Sequence, residues 1–209
     1  MKITVVGTGN MGSAFAKQLS GAGHVVRITG RDIQKAEALA AQFDQVTAYS
    51  ADQALGDSDV VVLATAYADA AAALQSLGDL TGKVVIDITN PLSADYMSLT
   101  IGHTTSASEE IAKAVPQAQV VKAFNTLFAQ VLGDGPTFAG DQRGSVFVAS
   151  DSERAKQTAT ALARSLGWNT VDAGGLVNAR YLEPLAGLNI YLGYGAGLGT
   201  SIAPVWLNK

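Results

Sequence analysis

The sequence predicts an α/β fold built on a doubly wound, mostly parallel sheet, and three observations lead there. Short β-branched runs alternate with Ala-rich helical stretches from residue 2 onward, the pattern of repeated strand–helix units. Three glycines, Gly7, Gly9 and Gly12, follow the first strand-like run directly and open a helix-like one. The composition also suits a sizeable core: of 209 residues, 48% are hydrophobic and 15% charged, far from the balance of a disordered chain.

Strands are expected near 2–6, 25–29, 46–48, 59–64, 84–87, 120–124, 145–149 and 169–172, where Val, Ile and Thr concentrate. Helices are expected between them, most plainly over 12–22, 33–43, 68–77, 108–114 and 153–166. Asp32 and Asp151 stand where two of these helices want an N-cap, and Gly167 where one wants a terminating glycine. Residues 90–105 hold Pro91, Gly102 and two Thr/Ser clusters and read as a long loop, a feature that in compact domains carries function or mobility. A last helix is expected over 179–192, followed by the glycine-rich run from Gly193 to Gly199. The chain thus divides into a nucleotide-binding domain, 1–175, and a short helical, glycine-rich extension, 176–209, in one compact unit.

Several functions are argued against. Fourteen Lys and Arg against eighteen Asp and Glu give a net charge of −4, and no basic run offers a stripe for a nucleic-acid backbone. The absence of cysteine removes disulfides, thiolate metal sites and thiol nucleophiles together. Met1 and Lys2 lead straight into a strand without the regions of a secretory leader, so a cytoplasmic protein is expected. Mean hydropathy is +0.20, yet no window of about 18 apolar residues exists, and Glu183 and Pro184 interrupt the carboxyl-terminal candidate, so no membrane contact is expected.

The segment Gly7-Thr8-Gly9-Asn10-Met11-Gly12 meets the positional conditions of a Rossmann-type dinucleotide turn. Gly7 permits the tight turn, Gly9 lets the backbone approach a pyrophosphate, and Gly12 lets the helix pack closely on the strand. NAD sites usually place a carboxylate at the end of the second strand, about 20 residues beyond the glycines, to hold the ribose hydroxyls. Here that place falls on Gly30. A glycine leaves room for a 2′-phosphate, and Arg31 with Lys35 can donate charge-assisted hydrogen bonds to it, so NADP is the expected cofactor. Two alternatives stand: Asp32 in the acidic role, although it explains itself as a cap, and Arg31 with Lys35 as plain solvated charges.

Ligands of open parallel sheets gather at the carboxyl ends of the strands. Three such ends are Ala64-Thr65-Ala66-Tyr67, Asp87-Ile88-Thr89-Asn90-Pro91 and Ala123-Phe124-Asn125-Thr126-Leu127. Their small residues, amides and hydroxyls can border a nicotinamide, and Tyr67, Phe124 and Phe128 can wall its face. The other reading makes Asp87 and Asn90 turn caps and the phenylalanines core. His24 and His103 show no metal-ligand spacing and no triad; neither a catalytic acid–base residue nor a metal site is assigned. Hydride transfer between two planar rings needs proximity and orientation more than an acid–base side chain.

With these motifs in place, together with Gly30-Arg31, Asp87 to Leu92, Val121 to Thr126 and the Gly197-Leu198-Gly199 end, nearly the whole chain resembles the F420-dependent NADP reductases. The resemblance implies a small, usually dimeric Rossmann domain with a carboxyl-terminal extension that exchanges hydride between NADPH and the deazaflavin coenzyme F420. It implies Thr8, Asn10 and Met11 along the pyrophosphate, Arg31 and Lys35 at the 2′-phosphate, and Asn125 to Ala129, Thr126 included, near the nicotinamide. The wider family includes the reductase portion of membrane metalloreductases. One departure is Ala66-Tyr67-Ala68-Asp69, where family members carry a Pro with Trp or Lys.

Related hydroxyacid and imine dehydrogenases append a helical substrate domain, whereas only 34 residues follow Gly175 here. A large planar acceptor, coenzyme F420 or a flavin, fits that shortness. The expected function is therefore an NADP(H)-dependent oxidoreductase acting on such a small-molecule acceptor. A ferric or other metal reductase module and a non-catalytic NADP sensor are the competing readings. Leu182, Leu185, Ala186, Leu188, Asn189 and Leu192 recur at helical spacing with Tyr181, Tyr191 and Tyr194 nearby, leaving no continuous polar face, so a homodimer through the last helix is expected.

Overall fold

The computed structural model describes residues 1–207. In chain order the regular elements are β1 (Lys2–Val6), α1 (Asn10–Gly21), β2 (Val25–Thr29), α2 (Ile33–Ala40), β3 (Val46–Ala48) and a single turn, α3 (Ala51–Ala54). They continue with β4 (Val60–Leu63), α4 (Ala70–Gln75), β5 (Val84–Asp87), α5 (Ala107–Ala114), β6 (Gln119–Lys122) and α6 (Ala129–Asp134). The last are β7 (Ser145–Val148), α7 (Glu153–Ser165), β8 (Asn169–Asp172) and α8 (Ala179–Ile190), which runs into a π-helical turn, Tyr191–Gly195.

Six strands form one parallel sheet in the order β3-β2-β1-β4-β5-β6. The order reverses between β1 and β4, which opens the crevice where such sheets bind ligands. Strands β4 and β5 are buried at every position, as expected where helices cover both faces. One face carries Phe15, Leu19, Ile28 and Leu132 in a single core cluster; the other carries Leu63, Leu74, Leu80 and Ile111.

The predicted strands all form, but not as one continuous sheet. β7 and β8 make a separate parallel pair, joined to β6 by an antiparallel bridge in which Lys122 and Ala149 exchange hydrogen bonds of 2.9 and 3.0 Å. Bounds differ by up to three residues: α1 begins two residues early, at Asn10 inside the glycine turn, whereas β6 ends two residues early, α2 three, and α4 lies two residues inside its expected range at each end; α3 and α6 are too short for periodicity to reveal. The predicted N-cap Asp32 caps α2, its Oδ1 accepting from Gln34 N at 3.0 Å. Asp151 does not cap α7. Ser152 does so, accepting from Ala155 N at 3.2 Å, while Asp151 Oδ1 accepts from Leu176 N at 2.9 Å and ties down the approach to α8. Gly167, at φ +85°, ends α7 in the left-handed region that favours glycine.

Candidate functional site

The site starts at the turn between β1 and α1. A Cβ on Gly7, at φ +126°, would lie 2.2 Å from Ala64 O, and one on Gly12 would lie 1.9 Å from Gly7 O. Both glycines are therefore required by the close approach of β1, β4 and α1. Gly9 is different: a Cβ there would meet nothing within 4 Å. The fold itself does not need that glycine, so its bare backbone faces open space at the start of α1, where no side chain caps the helix. Free N–H groups and a positive helix end meeting open space suit a pyrophosphate.

At the end of β2, a Cβ on Gly30 would press on Thr8 Cγ2 at 3.1 Å, so this glycine keeps a slot open beside Thr8. Arg31 stands next to the slot with its side chain 90% exposed, and its Nη1 is 3.6 Å from Asp69 Oδ2. Lys35 Nζ is 4.0 Å from Asp32 Oδ2. Ala64 abuts Gly7, Thr65 Oγ1 is buried without a hydrogen-bond partner, and Ala66 begins the turn that leads to Asp69.

The other end of the crevice is a cavity of about 240 Å³. Asn10, Met11, Asn90, Asn125, Thr126 and Ala129, from three separate chain segments, all line it. Asn90 Nδ2 donates to Asn125 O at 2.8 Å, and Asn125 Nδ2 donates to Asn90 Oδ1 at 3.0 Å and to Leu182 O at 2.9 Å. The two amides thus lock the ends of β5 and β6 to α8. Asn189 adds a bond from its Nδ2 to Thr126 O at 3.1 Å. Phe124 takes a left-handed φ of 60°, an unusual backbone for a bulky residue and a turn that brings Asn125 to the cavity.

The aromatic residues divide. Phe128 lines the cavity, its ring edge-on to Tyr194 at 5.6 Å between centroids. Phe124 is instead core, fully buried and edge-on to Phe15 at 5.2 Å. Tyr67 packs against the core of the opposite sheet face rather than lining the cavity. Burial, the carboxylates of Glu110, Glu183 and Asp87 acting with it, pushes the Tyr67 phenol up. Tyr96, from the long loop, lines the cavity without any signal in the sequence, and Asn189 lines it too, although the sequence offered it only as part of the last helix's stripe. Among the described residues the lining carries amides, a hydroxyl, two phenols and apolar groups, with no carboxylate, imidazole or amine.

Sequence reasoning also missed the ionic cluster behind the cavity. Lys122, Asp87 and Glu183 have side chains at most 1% exposed, and Lys122 Nζ lies 2.8 Å from Asp87 Oδ2 and 2.9 Å from Glu183 Oε1. The same ammonium donates to Thr89 O at 2.7 Å. Glu183 accepts from Ala107 N at 2.9 Å and Ser108 N at 3.2 Å, capping α5 from α8. Asp87 accepts from Thr89 N at 2.8 Å, the turn-capping role the sequence suggested, and from Ser108 Oγ at 2.5 Å. A lysine inside the apolar run Val120-Val121-Lys122-Ala123-Phe124 was the available signal, because a buried charge demands a partner.

His24 lies at the opposite end of the sheet. The Met1 ammonium donates to its Nδ1 at 2.9 Å, so its Nε2 carries the proton and donates to Ser165 Oγ at 2.9 Å. His103 sits exposed in the long loop at φ 59°. Among the described residues no group of three His, Cys, Asp or Glu side chains could hold a metal ion, and no helix is long and apolar enough to cross a membrane.

Comparison with known proteins agrees with this geometry. The family model for coenzyme F420-dependent NADP oxidoreductase matches residues 2–91, which include the glycine turn, Gly30 and Arg31. Metalloreductase STEAP3 of Rattus norvegicus is 30% identical over 88% of this chain, and this chain spans about a third of the length of such curated relatives, 36% in that case. An imine reductase of a Pseudomonas species, 22% identical with a TM-score of 0.67 over 94% of this chain and 63% of its own, shares the fold. A crystal structure described as an F420-dependent NADP reductase, from Arthrobacter sp. FB24, superposes with a TM-score of 0.84 at 32% identity, covering 96% of both chains. A likeness of this identity over 96% of both chains places this chain in the F420-dependent NADP reductase family, a family of NADP-dependent oxidoreductases.

Proposed function

We propose that this protein moves a hydride between NADPH and a planar deazaflavin or flavin-like acceptor, coenzyme F420 being the leading candidate. The observation that carries the reading is the convergence of six predicted residues, Asn10, Met11, Asn90, Asn125, Thr126 and Ala129, on one cavity. When bound, the nicotinamide supplies the hydride. The chain's own work is orientation: Thr8, Gly9, Asn10 and Met11 hold the pyrophosphate, and Gly30, Arg31 and Lys35 take the 2′-phosphate. Ala64, Thr65 and Ala66 border the middle of the nucleotide. Asn90, Asn125, Thr126 and Ala129 shape the nicotinamide pocket. Burial of the reacting rings beside Phe128 and the tyrosines keeps water from the hydride, and proximity provides the rate.

NADPH oxidation followed spectroscopically, with coenzyme F420, FMN, FAD and ferric chelates offered in parallel, tests the proposal. Turnover with F420 or a flavin alone supports it. Turnover only with a ferric chelate in the presence of a flavin favours the second reading, a metal reductase module, which the likeness to the metalloreductase supports. No turnover with any acceptor leaves an NADP-binding sensor.

The extension 176–209 belongs, in this reading, to the same compact unit and carries the contact of a homodimer. Supporting this, α8 buries Leu182, Glu183, Ala186 and Asn189 against the domain while Tyr181, Leu188 and Tyr191 stay exposed at 75%, 55% and 52%. Exposed apolar residues grouped on one helix mark association surfaces.

A further inference from the structure

Asp69 occupies the N-cap position of α4, yet its carboxylate makes no capping hydrogen bond there. Its backbone is already helical, continuing the turn Tyr67–Asp69 that starts at Ala66, so the carboxylate is left free to point away from the helix end. It faces Arg31 across the mouth of the phosphate slot at 3.6 Å. The contrast with Asp32 is informative. Asp32 is as close to a cation, Lys35, but its other oxygen caps α2, so its carboxylate is tied to its own helix. Asp69 lies in the first helical turn after β4, where its charge also suits the helix N-terminus, and from there it reaches the end of β2. Arg31, next to Gly30, and Asp69 thus form a formally neutral pair.

We propose that Asp69 is a specificity-determining residue: it holds the Arg31 guanidinium when no phosphate is present and is displaced by the 2′-phosphate, thereby limiting the preference for NADPH over NADH. The inference rests on the NADP reading above. A phosphomonoester that enters the slot takes Arg31 from Asp69 and then lies near a carboxylate, so binding replaces one ion pair by another instead of adding one. NADH, with free ribose hydroxyls, leaves the pair intact. The carboxylate thus weakens NADPH binding and leaves NADH binding alone. Unit charges about 4 Å apart in water interact by about 1 kcal/mol, which sets the scale at about fivefold in affinity.

The test is titration of both nucleotides against the parent, Asp69→Asn and Arg31→Ala. Asn keeps size and polarity, and Asp69 is half exposed, so the variant is expected to fold; thermal unfolding checks this. The expected result is NADPH binding about fivefold tighter in Asp69→Asn, with NADH unchanged within twofold. The gain should vanish at about 1 M salt, where the screening length is about 3 Å. It should vanish as well when Arg31→Ala is added. A gain below twofold for NADPH, or an equal change for both nucleotides, overturns the role of Asp69 even where NADPH preference stands. Equal affinity of the parent for the two nucleotides, with Arg31→Ala losing nothing, overturns the NADP reading instead, and this inference with it.

Discussion

Replacing Lys122 by Met leaves an unbranched side chain one atom shorter and removes the ammonium, its charge and its N–H donors together. The ammonium stands between Asp87 Oδ2 and Glu183 Oε1 at 2.8 and 2.9 Å, and none of the three side chains is more than 1% exposed. Without it, two carboxylates remain buried with hydrogen bonds from α5 and the turn after β5 but no countercharge. Breaking a buried pair from one side typically costs about 3–5 kcal/mol, against a total stability of about 5–15 kcal/mol. For a domain of this size the loss corresponds to roughly 6–20 °C in Tm. NADPH affinity should fall with it, because the same ammonium holds Thr89 O beside Asn90. Urea unfolding followed by circular dichroism measures the stability change. A double-mutant cycle with Glu183→Gln isolates the pair: removing one carboxylate charge should recover part of the loss, with a coupling of at least about 1 kcal/mol. A single-variant cost below about 1 kcal/mol, or strictly additive costs, would refute the view that this cluster clamps α8 to the sheet.

Gly9→Ala should unfold like the parent but bind NADPH at least tenfold more weakly, since the added methyl meets no protein atom within 4 Å; Gly12→Ala, aimed 1.9 Å from a carbonyl, should instead lower Tm by several degrees in the same melt. Arg31→Ala should cost NADPH at least tenfold, about 1.4 kcal/mol, and leave NADH unaffected, as read by titration. Burial first, and the Met1 ammonium second, depress His24 below its ordinary value of 6.5. The folded state therefore favours the neutral ring, so this part of the stability is full above about pH 6.5 and is lost as pH falls through the folded value. Urea midpoints across that range should fall less steeply with acid in His24→Gln than in the parent, and equal slopes would refute the assignment. Leu188→Glu should convert a dimeric parent to a monomer in sedimentation at micromolar concentration; a monomeric parent ends the dimer proposal.

Local information in the sequence carried the alternation of strands and helices, because a period of two or of 3.6 is a property of neighbouring residues. It carried the glycine turn for the same reason: Gly7, Gly9 and Gly12 do their work within one turn of chain. The carboxyl-end rule for parallel sheets brought Asn90, Asn125 and Thr126 together, and the family resemblance added Ala129. Contacts between distant segments lay beyond such reasoning. Nothing near Lys122 in the chain announces Glu183, and nothing near Arg31 announces Asp69; both pairings exist only because α8 and the loop after β4 return to the carboxyl ends of β6 and β2. Phe124 and Phe128 are equally apolar and four residues apart, yet the left-handed backbone at Phe124 drives one ring into the core while the other stays at the cavity. Side-chain chemistry decides which residues need a partner, but the path of the chain through space decides which partner each one finds.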